Sequence, residues 1–178
     1  MLLLVGLGNP GSDYTNTRHN IGFKIIDAIN LHFKLSKQKP KFKGLLTTGN
    51  IEEKKIYAIK PLTFMNNSGT AIKELIDYFK IDAKDVIVFH DDMDIDFGKI
   101  KAKFGGSSAG HNGIESIDKF IGKEYSRVRI GIGHPKQKKK VNNHVLEDFK
   151  EDEEEKIKEI TENIVKQIPT LIDKKMDL

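Results

Sequence analysis

Cysteine and tryptophan are absent from the 178 residues. Without thiols there is no disulfide framework, no thiolate nucleophile, no iron–sulfur cluster and no cysteine-ligated zinc, and the composition suits a reducing compartment. Long apolar runs are missing as well. The longest near the start, Leu2 to Val5, falls far short of the roughly 7- to 15-residue core of a secretion signal or the ~20 residues of a membrane span. A soluble, cytoplasmic protein is expected. Three catalytic signatures are also lacking: no Gly-x-Ser-x-Gly elbow, no His-Glu-x-x-His and no Walker loop occurs. A serine-nucleophile hydrolase, a zincin and a P-loop NTPase therefore lack their parts. No internal repeat or long low-complexity segment is present.

What remains is 38% apolar and 31% charged, the composition of one globular domain spanning residues 1–178. At this length folding buries roughly 70% of the surface of the unfolded chain, enough for a core without covalent staples. Charge is unevenly placed. Residues 151–178 carry five Lys and nine Asp/Glu, so of the net +4 the tail holds −4 and residues 1–150 hold +8. A basic body favours a polyanionic partner such as nucleic acid.

Apolar periods of 2 and 3.6 alternate along the chain, which predicts an α/β domain. Leu2–Gly6 reads as a first strand. Behind a glycine-rich loop, Ile21, Ile25, Ala28, Ile29 and Phe33 recur at helical spacing, with Thr17 as a candidate N-cap. Basic residues around Pro40 read as a linker. A hairpin is predicted from Leu45–Ile51 and Lys55–Ile59, then a helix through Ala71, Ile72, Leu75, Ile76 and Phe79. Val86–Phe89 has the continuous apolarity of a central strand and ends in His90, Asp91 and Asp92. Lys99, Lys101 and Lys103 alternate with Ile100, Ala102 and Phe104, as in a half-exposed strand. A flexible loop, Gly105–Gly110, precedes a helix bearing Ile114, Ile117, Phe120 and Ile121. Ser126–Ile132 is the last strand, and an acidic C-terminal helix at 151–170 buries Ile157, Ile160, Ile164 and Ile168.

Gly6-Leu7-Gly8-Asn9-Pro10-Gly11 matches the dinucleotide fingerprint in letters but not in context. There the third glycine opens a helix, whereas Pro10 and the polar run to Thr17 delay helix onset. The glycines can instead serve a tight turn that presents Asn9 at a strand's carboxyl end, or simply a turn. His19-Asn20, Asn66-Asn67, His90-Asp91 and His111-Asn112 all fall at strand ends or helix starts, which one α/β sheet can bring together. A histidine held by a carboxylate is a general base, and asparagine amides donate to a developing oxyanion without adding charge. Asp91, Asp92, Asp94 and Asp96 could hold Mg²⁺ and six histidines could supply zinc, but no ligand spacing supports a metal site. The strand-face lysines suit phosphates, or else keep an edge strand soluble.

Taken in order, Val5–Gly11, Thr17–Gly22, Pro61–Gly69, His90–Asp94, Gly110–Gly113 and Arg127–Pro135 resemble bacterial-type peptidyl-tRNA hydrolases from about Leu3 to at least Leu146. The resemblance implies a mixed, twisted sheet enclosed by helices in a three-layer architecture. It also implies a monomeric esterase, free of metal and cofactor, that cuts the ester joining a peptide to the terminal ribose of tRNA. By position, His19 matches the family's catalytic histidine and Asp91 its carboxylate partner. Asn9 and Asn66 match contacts to the peptide-ester end, and Asn112 a residue that positions water and substrate. Tyr14, Phe64, Met65 and His111 line the family's cleft. Lys101 and Lys103 match a pair that reads the tRNA 5′-phosphate, and Arg129 a further basic position on the tRNA side. The loop Ser107-Ser108-Ala109 stands where some relatives have more glycine, which affects loop mobility. A non-catalytic RNA-binding protein on the same fold is the alternative; the presence of His19, Asp91 and Asn9 speaks against it. A nucleotide-binding oxidoreductase built on Gly6–Gly11 would retain NAD(P) or flavin.

Overall fold

The computed structural model describes residues 1–135 and 141–174. In chain order these form β1 (Leu2–Gly6), α1 (Ile21–His32), β2 (Lys39–Lys41), β3 (Gly44–Ile51), β4 (Lys54–Pro61) and α2 (Ser68–Phe79). Next come β5 (Val86–Asp92), β6 (Ile100–Phe104), α3 (Asn112–Ile121), β7 (Ser126–Gly131), α4 (Val141–Leu146) and α5 (Glu151–Lys174). The strands join in one sheet ordered β2-β3-β4-β1-β5-β7-β6. Its four central strands run parallel, and β2, β3 and β6 pair antiparallel outside them.

The parallel centre explains the apolar runs, because each central strand is covered on both faces. Alternate residues of β1 go to opposite cores. Leu2 and Leu4 pack with Ile25 and Ile29 of α1 and Ile160, Ile164 and Ile168 of α5. Leu3 and Val5 pack with Ile72 and Leu75 of α2 and Ile114 and Ile117 of α3. The result is the expected mixed sheet between two helical layers.

Several local expectations are corrected. The segment around Pro40 is an edge strand, Lys39–Lys41 paired to Gly44–Leu46, and not a linker. Thr17 does not cap α1: a 3-10 turn, Arg18–Asn20, intervenes, and the Thr17 hydroxyl donates to the Tyr14 carbonyl at 2.9 Å. β5, in contrast, ends in His90, Asp91 and Asp92 as expected. Phe104, expected to face inward, is 53% exposed. The basic run Lys136–Lys140 lies outside the described residues.

Helix α1 begins hard against the sheet. A Cβ on Gly22 would lie 2.4 Å from the Leu7 nitrogen and 2.5 Å from the Phe89 carbonyl oxygen, and one on Gly6 would lie 2.2 Å from the Gly22 oxygen. Only glycine allows this approach. It brings the turn carrying His19 onto the carboxyl ends of β1 and β5, where the strand order reverses direction about β1 and open α/β sheets place their ligands.

Candidate active site

At these strand ends His19, Asp91, His111 and Asn112 line a cleft of about 190 Å³, with Asp92, Met93 and the loop Ser108–Gly110. The His19 Nδ1–H donates to both Asp91 oxygens, at 2.9 and 2.8 Å. His111 Nε2–H donates to Asp91 Oδ1 at 2.9 Å. His111 is also the N-cap of α3, and its Nδ1 accepts the backbone N–H groups of Gly113 and Ile114 at 3.1 and 3.3 Å. A nitrogen that accepts two N–H groups carries no proton, so the His111 proton sits on Nε2 and points at Asp91. One carboxylate therefore serves two imidazoles, and the His19 Nε2 lone pair is left for the cleft.

Electrostatics follow from this geometry. Burial opposes a charge on His19, yet the charge and hydrogen bond of Asp91 outweigh it and raise the His19 pKa above its ordinary value. Burial would likewise push the Asp91 carboxyl up, but His19 and His111 hold it far below the usual carboxylate range.

His19, Asp91 and His111 are close enough to suggest a metal site, their donor atoms lying within 4.8 Å. The hydrogen bonds argue otherwise. Ligation through His111 Nε2 would require its proton on Nδ1, against the two N–H groups already there. The donor set is built to hold protons.

Asn9 is not among the residues lining this cleft; it lines a separate groove with Pro10, Gly11 and Asn20, its amide already turned. Its Oδ1 accepts the Met65 N–H at 2.8 Å, which leaves Nδ2 as the free donor. Sequence reasoning assigned no role to Asn20, which holds Asn9 from behind: Asn20 Oδ1 accepts the Asn9 N–H and Asn20 Nδ2 donates to the Asn9 carbonyl, both at 2.8 Å. The adjacency His19-Asn20 was its only signal. Met65 is buried, and a Cβ on Gly113 would lie 2.6 Å from Met65 Sδ, so Met65 spans from Asn9 to the start of α3. Tyr14 and Phe64 meet edge to face at 6.5 Å, with Phe64 53% exposed. Asn66 is exposed on the 3-10 turn Met65–Asn67, outside the residues lining the cleft.

On the far side, Lys101 and Lys103 are exposed on edge strand β6, opposite Arg129 and Arg127 of β7. Arg129 does not join them as a free cation: its Nε donates to Asp92 Oδ2 at 2.7 Å. Arg127 is buried and holds the Ser107 carbonyl at 3.0 Å and Asp118 at 2.8 Å, anchoring the loop that leads to His111. Arg18, also without a role in the sequence reading, is buried and donates to the His144 carbonyl at 3.1 Å and to Glu153 at 3.2 Å. It ties the C-terminal segment to the turn that carries His19.

Known proteins resemble the chain in sequence and fold. The family model described as peptidyl-tRNA hydrolase matches residues 3–178. A peptidyl-tRNA hydrolase of Pelagibacter ubique is 74% identical over 178 residues, covering all of this chain and 96% of that protein. One from Bartonella henselae is 46% identical over 172 residues, covering 97% and 89% respectively. The crystal structure of the Acinetobacter baumannii peptidyl-tRNA hydrolase superposes with a TM-score of 0.93 at 35% identity, covering 98% of this chain and 90% of that one. By match, by identity and by fold, the chain belongs to the peptidyl-tRNA hydrolase family.

Proposed function

We propose that the protein hydrolyses the ester between a peptide and the terminal ribose of tRNA, with His19 as general base. The observation that carries this reading is the Asp91–His19 hydrogen bond, which commits Nδ1 and leaves Nε2 to the cleft. Water attacks the ester carbonyl as Nε2 takes its proton. Asp91 holds the ring in its tautomer and offsets the imidazolium charge. The carbonyl oxygen becomes an oxyanion, for which Asn9 Nδ2 and Asn112 are assigned as amide donors. Collapse expels the ribose oxygen, which takes the proton back from Nε2 and leaves as a hydroxyl. General base and oxyanion donors together supply on the order of 10⁴- to 10⁷-fold if their effects multiply, which suffices for an ester without a covalent intermediate. Tyr14, Phe64, Met65 and Asn66 are assigned to the peptide end, His111 to the cleft wall, and Lys101 and Lys103 to the tRNA phosphates, with Arg129, paired to Asp92, behind them on the tRNA side. No cofactor is required. The protein is assigned as a monomer, and a substrate made in translation assigns the activity to the cytoplasm.

The test compares wild type with His19→Ala for peptide release from N-blocked peptidyl-tRNA, with free-amine aminoacyl-tRNA as control and EDTA present. Wild type is expected to release peptide from the blocked substrate alone. His19→Ala is expected to lose turnover by at least about 10³-fold while binding tRNA normally, since phosphate contacts dominate affinity. The wild-type kcat/KM is expected to rise with pH through an apparent pKa above 6.5, because the base works unprotonated. Near-wild-type turnover by His19→Ala would remove the base assignment. Binding of tRNA without release by either protein would mean the fold serves RNA binding alone.

A further inference from the structure

His90 is 3% exposed and lies one residue before Asp91 on β5, yet no step above uses it. Its place is explained by the way the sheet opens. The last register pair between β1 and β5 is Gly6–Phe89, and the Phe89 carbonyl still receives the Leu7 N–H at 3.2 Å. Carbonyl directions alternate along a strand, so the Asp91 carbonyl points the same way as that of Phe89, towards β1. By then β1 has turned off into Gly8 and Asn9. The Asp92 carbonyl, pointing the other way, finds the Ile132 N–H at 3.0 Å. The Asp91 carbonyl is thus the group that the departure of β1 strands, and it lies in the residue that serves both imidazoles. His90 fills the vacancy: its Nδ1–H donates to the Asp91 carbonyl at 2.8 Å.

The ring also packs against the second imidazole. His90 and His111 meet edge to face, centroids 4.9 Å apart and planes at 70°. With the proton on Nδ1, Nε2 is a bare acceptor, buried and without a hydrogen-bond partner among the described residues. Burial, and then the neighbouring His111, push the His90 pKa down to about 3, against the opposing pull of Asp91 and Asp92. The ring therefore stays neutral and takes no part in proton traffic at working pH.

We propose that His90 is a positioning residue for the reaction. Its Nδ1–H caps the main-chain carbonyl of Asp91 where β1 has left the sheet, so that the Asp91 carboxylate meets both imidazoles in one arrangement. The proposal rests on the roles given to His19 and Asp91. It accounts for a histidine at a site where burial alone would favour an apolar residue. An aromatic ring could fill the space against His111, but only a side chain with a donor at the Nδ1 position closes the carbonyl.

The test uses two variants. His90→Phe keeps a ring and removes the donor, whereas His90→Asn places Nδ2 where the histidine has Nδ1. A displacement of the catalytic pair by ~1 Å costs up to about 100-fold. His90→Phe is accordingly expected to lower kcat on the order of 10- to 100-fold with KM changed less than about twofold. Among the described residues, the charged or titratable groups facing His19 and His111 are Asp91, each other and, at His111, the neutral His90, with Asp92 beside His90. A loosened Asp91 therefore shifts the acid limb of the kcat profile to lower pH. His90→Asn is expected to recover most of kcat and the wild-type profile. Wild-type kcat and profile in His90→Phe would overturn the proposal. So would an equal loss in His90→Asn. Nitrogen NMR of the wild-type histidines decides the matter independently of either variant's folding. A His90 signal that stays in the Nδ1–H form at pH 5 is expected, and an Nε2–H form or a titration between pH 5 and 8 would overturn it. Activity in His19→Ala, in contrast, would defeat the underlying mechanism whatever His90 does.

Discussion

Asn20 shows how a side chain outside the reacting groups can set a reacting group's geometry. Its carboxamide matches the main chain of Asn9 donor to acceptor and acceptor to donor, two bonds of 2.8 Å, and Asn20 is 2% exposed. The Thr17 hydroxyl adds a longer contact to the same Oδ1 at 3.4 Å. With the backbone of Asn9 held from one side and its Oδ1 held by Met65 from the other, the Nδ2 donor has little freedom, which is what an oxyanion donor needs. Asn20→Ala leaves a buried N–H and a buried carbonyl unpaired, each costing about 1 to 3 kcal/mol. The expected result is a lower unfolding temperature together with a fall in kcat/KM of about tenfold or more. Asn20→Asp keeps the acceptor but turns a carboxylate oxygen towards the Asn9 carbonyl, so it is expected to be worse than alanine for activity. Thermal unfolding and steady-state kinetics on both variants check this; kcat/KM at the wild-type level in Asn20→Ala would show that Asn9 needs no such clamp.

Among the elements, the β3–β4 hairpin carries visible strain. Its two-residue turn, Glu52-Glu53, has φ of +47° and +70°, the left-handed backbone of a type I′ turn, which asparagine and glycine adopt far more easily than glutamate. The double substitution Glu52→Asn, Glu53→Gly is expected to stabilise the protein by about 1 kcal/mol and raise Tm by about 2 to 4 °C. Differential scanning calorimetry reads this directly, and an unchanged or lower Tm would place the strain elsewhere. Elements of this kind were legible in the sequence wherever burial imposes a period. Leu2–Gly6, Val86–Phe89 and the helix faces declare themselves because both cores demand apolar residues there. β2 did not, because Lys39-Pro40-Lys41 is exposed throughout and exists only by pairing with β3. α4 is short and similarly left no period. The site divides along the same line. Its residue types at strand ends and helix starts could be read, and the family resemblance assigned roles to His19 and Asp91. Neither route could show that Asn20 faces the main chain of Asn9, that His111 caps α3 through Nδ1, or that Arg129 is spoken for by Asp92. Those relations join distant segments and leave no local pattern.

Across the whole molecule, charge separates function from stability. The acidic helix α5 covers the face of the sheet shared with α1, while positive charge is displayed on β6 at one edge. Lys99 pairs with Asp96 and Arg129 with Asp92, whereas Lys101 and Lys103 enter none of the ion pairs among the described residues. On β6 these two are cations that a tRNA phosphate could engage without first breaking an ion pair. Each phosphate contact releases condensed counterions, so removing both lysines is expected to raise KM and to flatten the dependence of log KM on log salt by roughly one per lysine, with kcat nearly unchanged. Arg129→Ala is expected to behave differently. Asp92 is 8% exposed and lies next to Asp91, so deleting its partner leaves a buried charge unpaired, which costs about 3 to 5 kcal/mol when a buried pair is broken. The loss then appears in Tm and in kcat as well as in KM. Kinetics over a salt series for Lys101→Ala/Lys103→Ala, beside Arg129→Ala, separates the two effects. An unchanged salt slope in the lysine variant would remove β6 from the tRNA contact and leave its lysines as the guard of an exposed sheet edge.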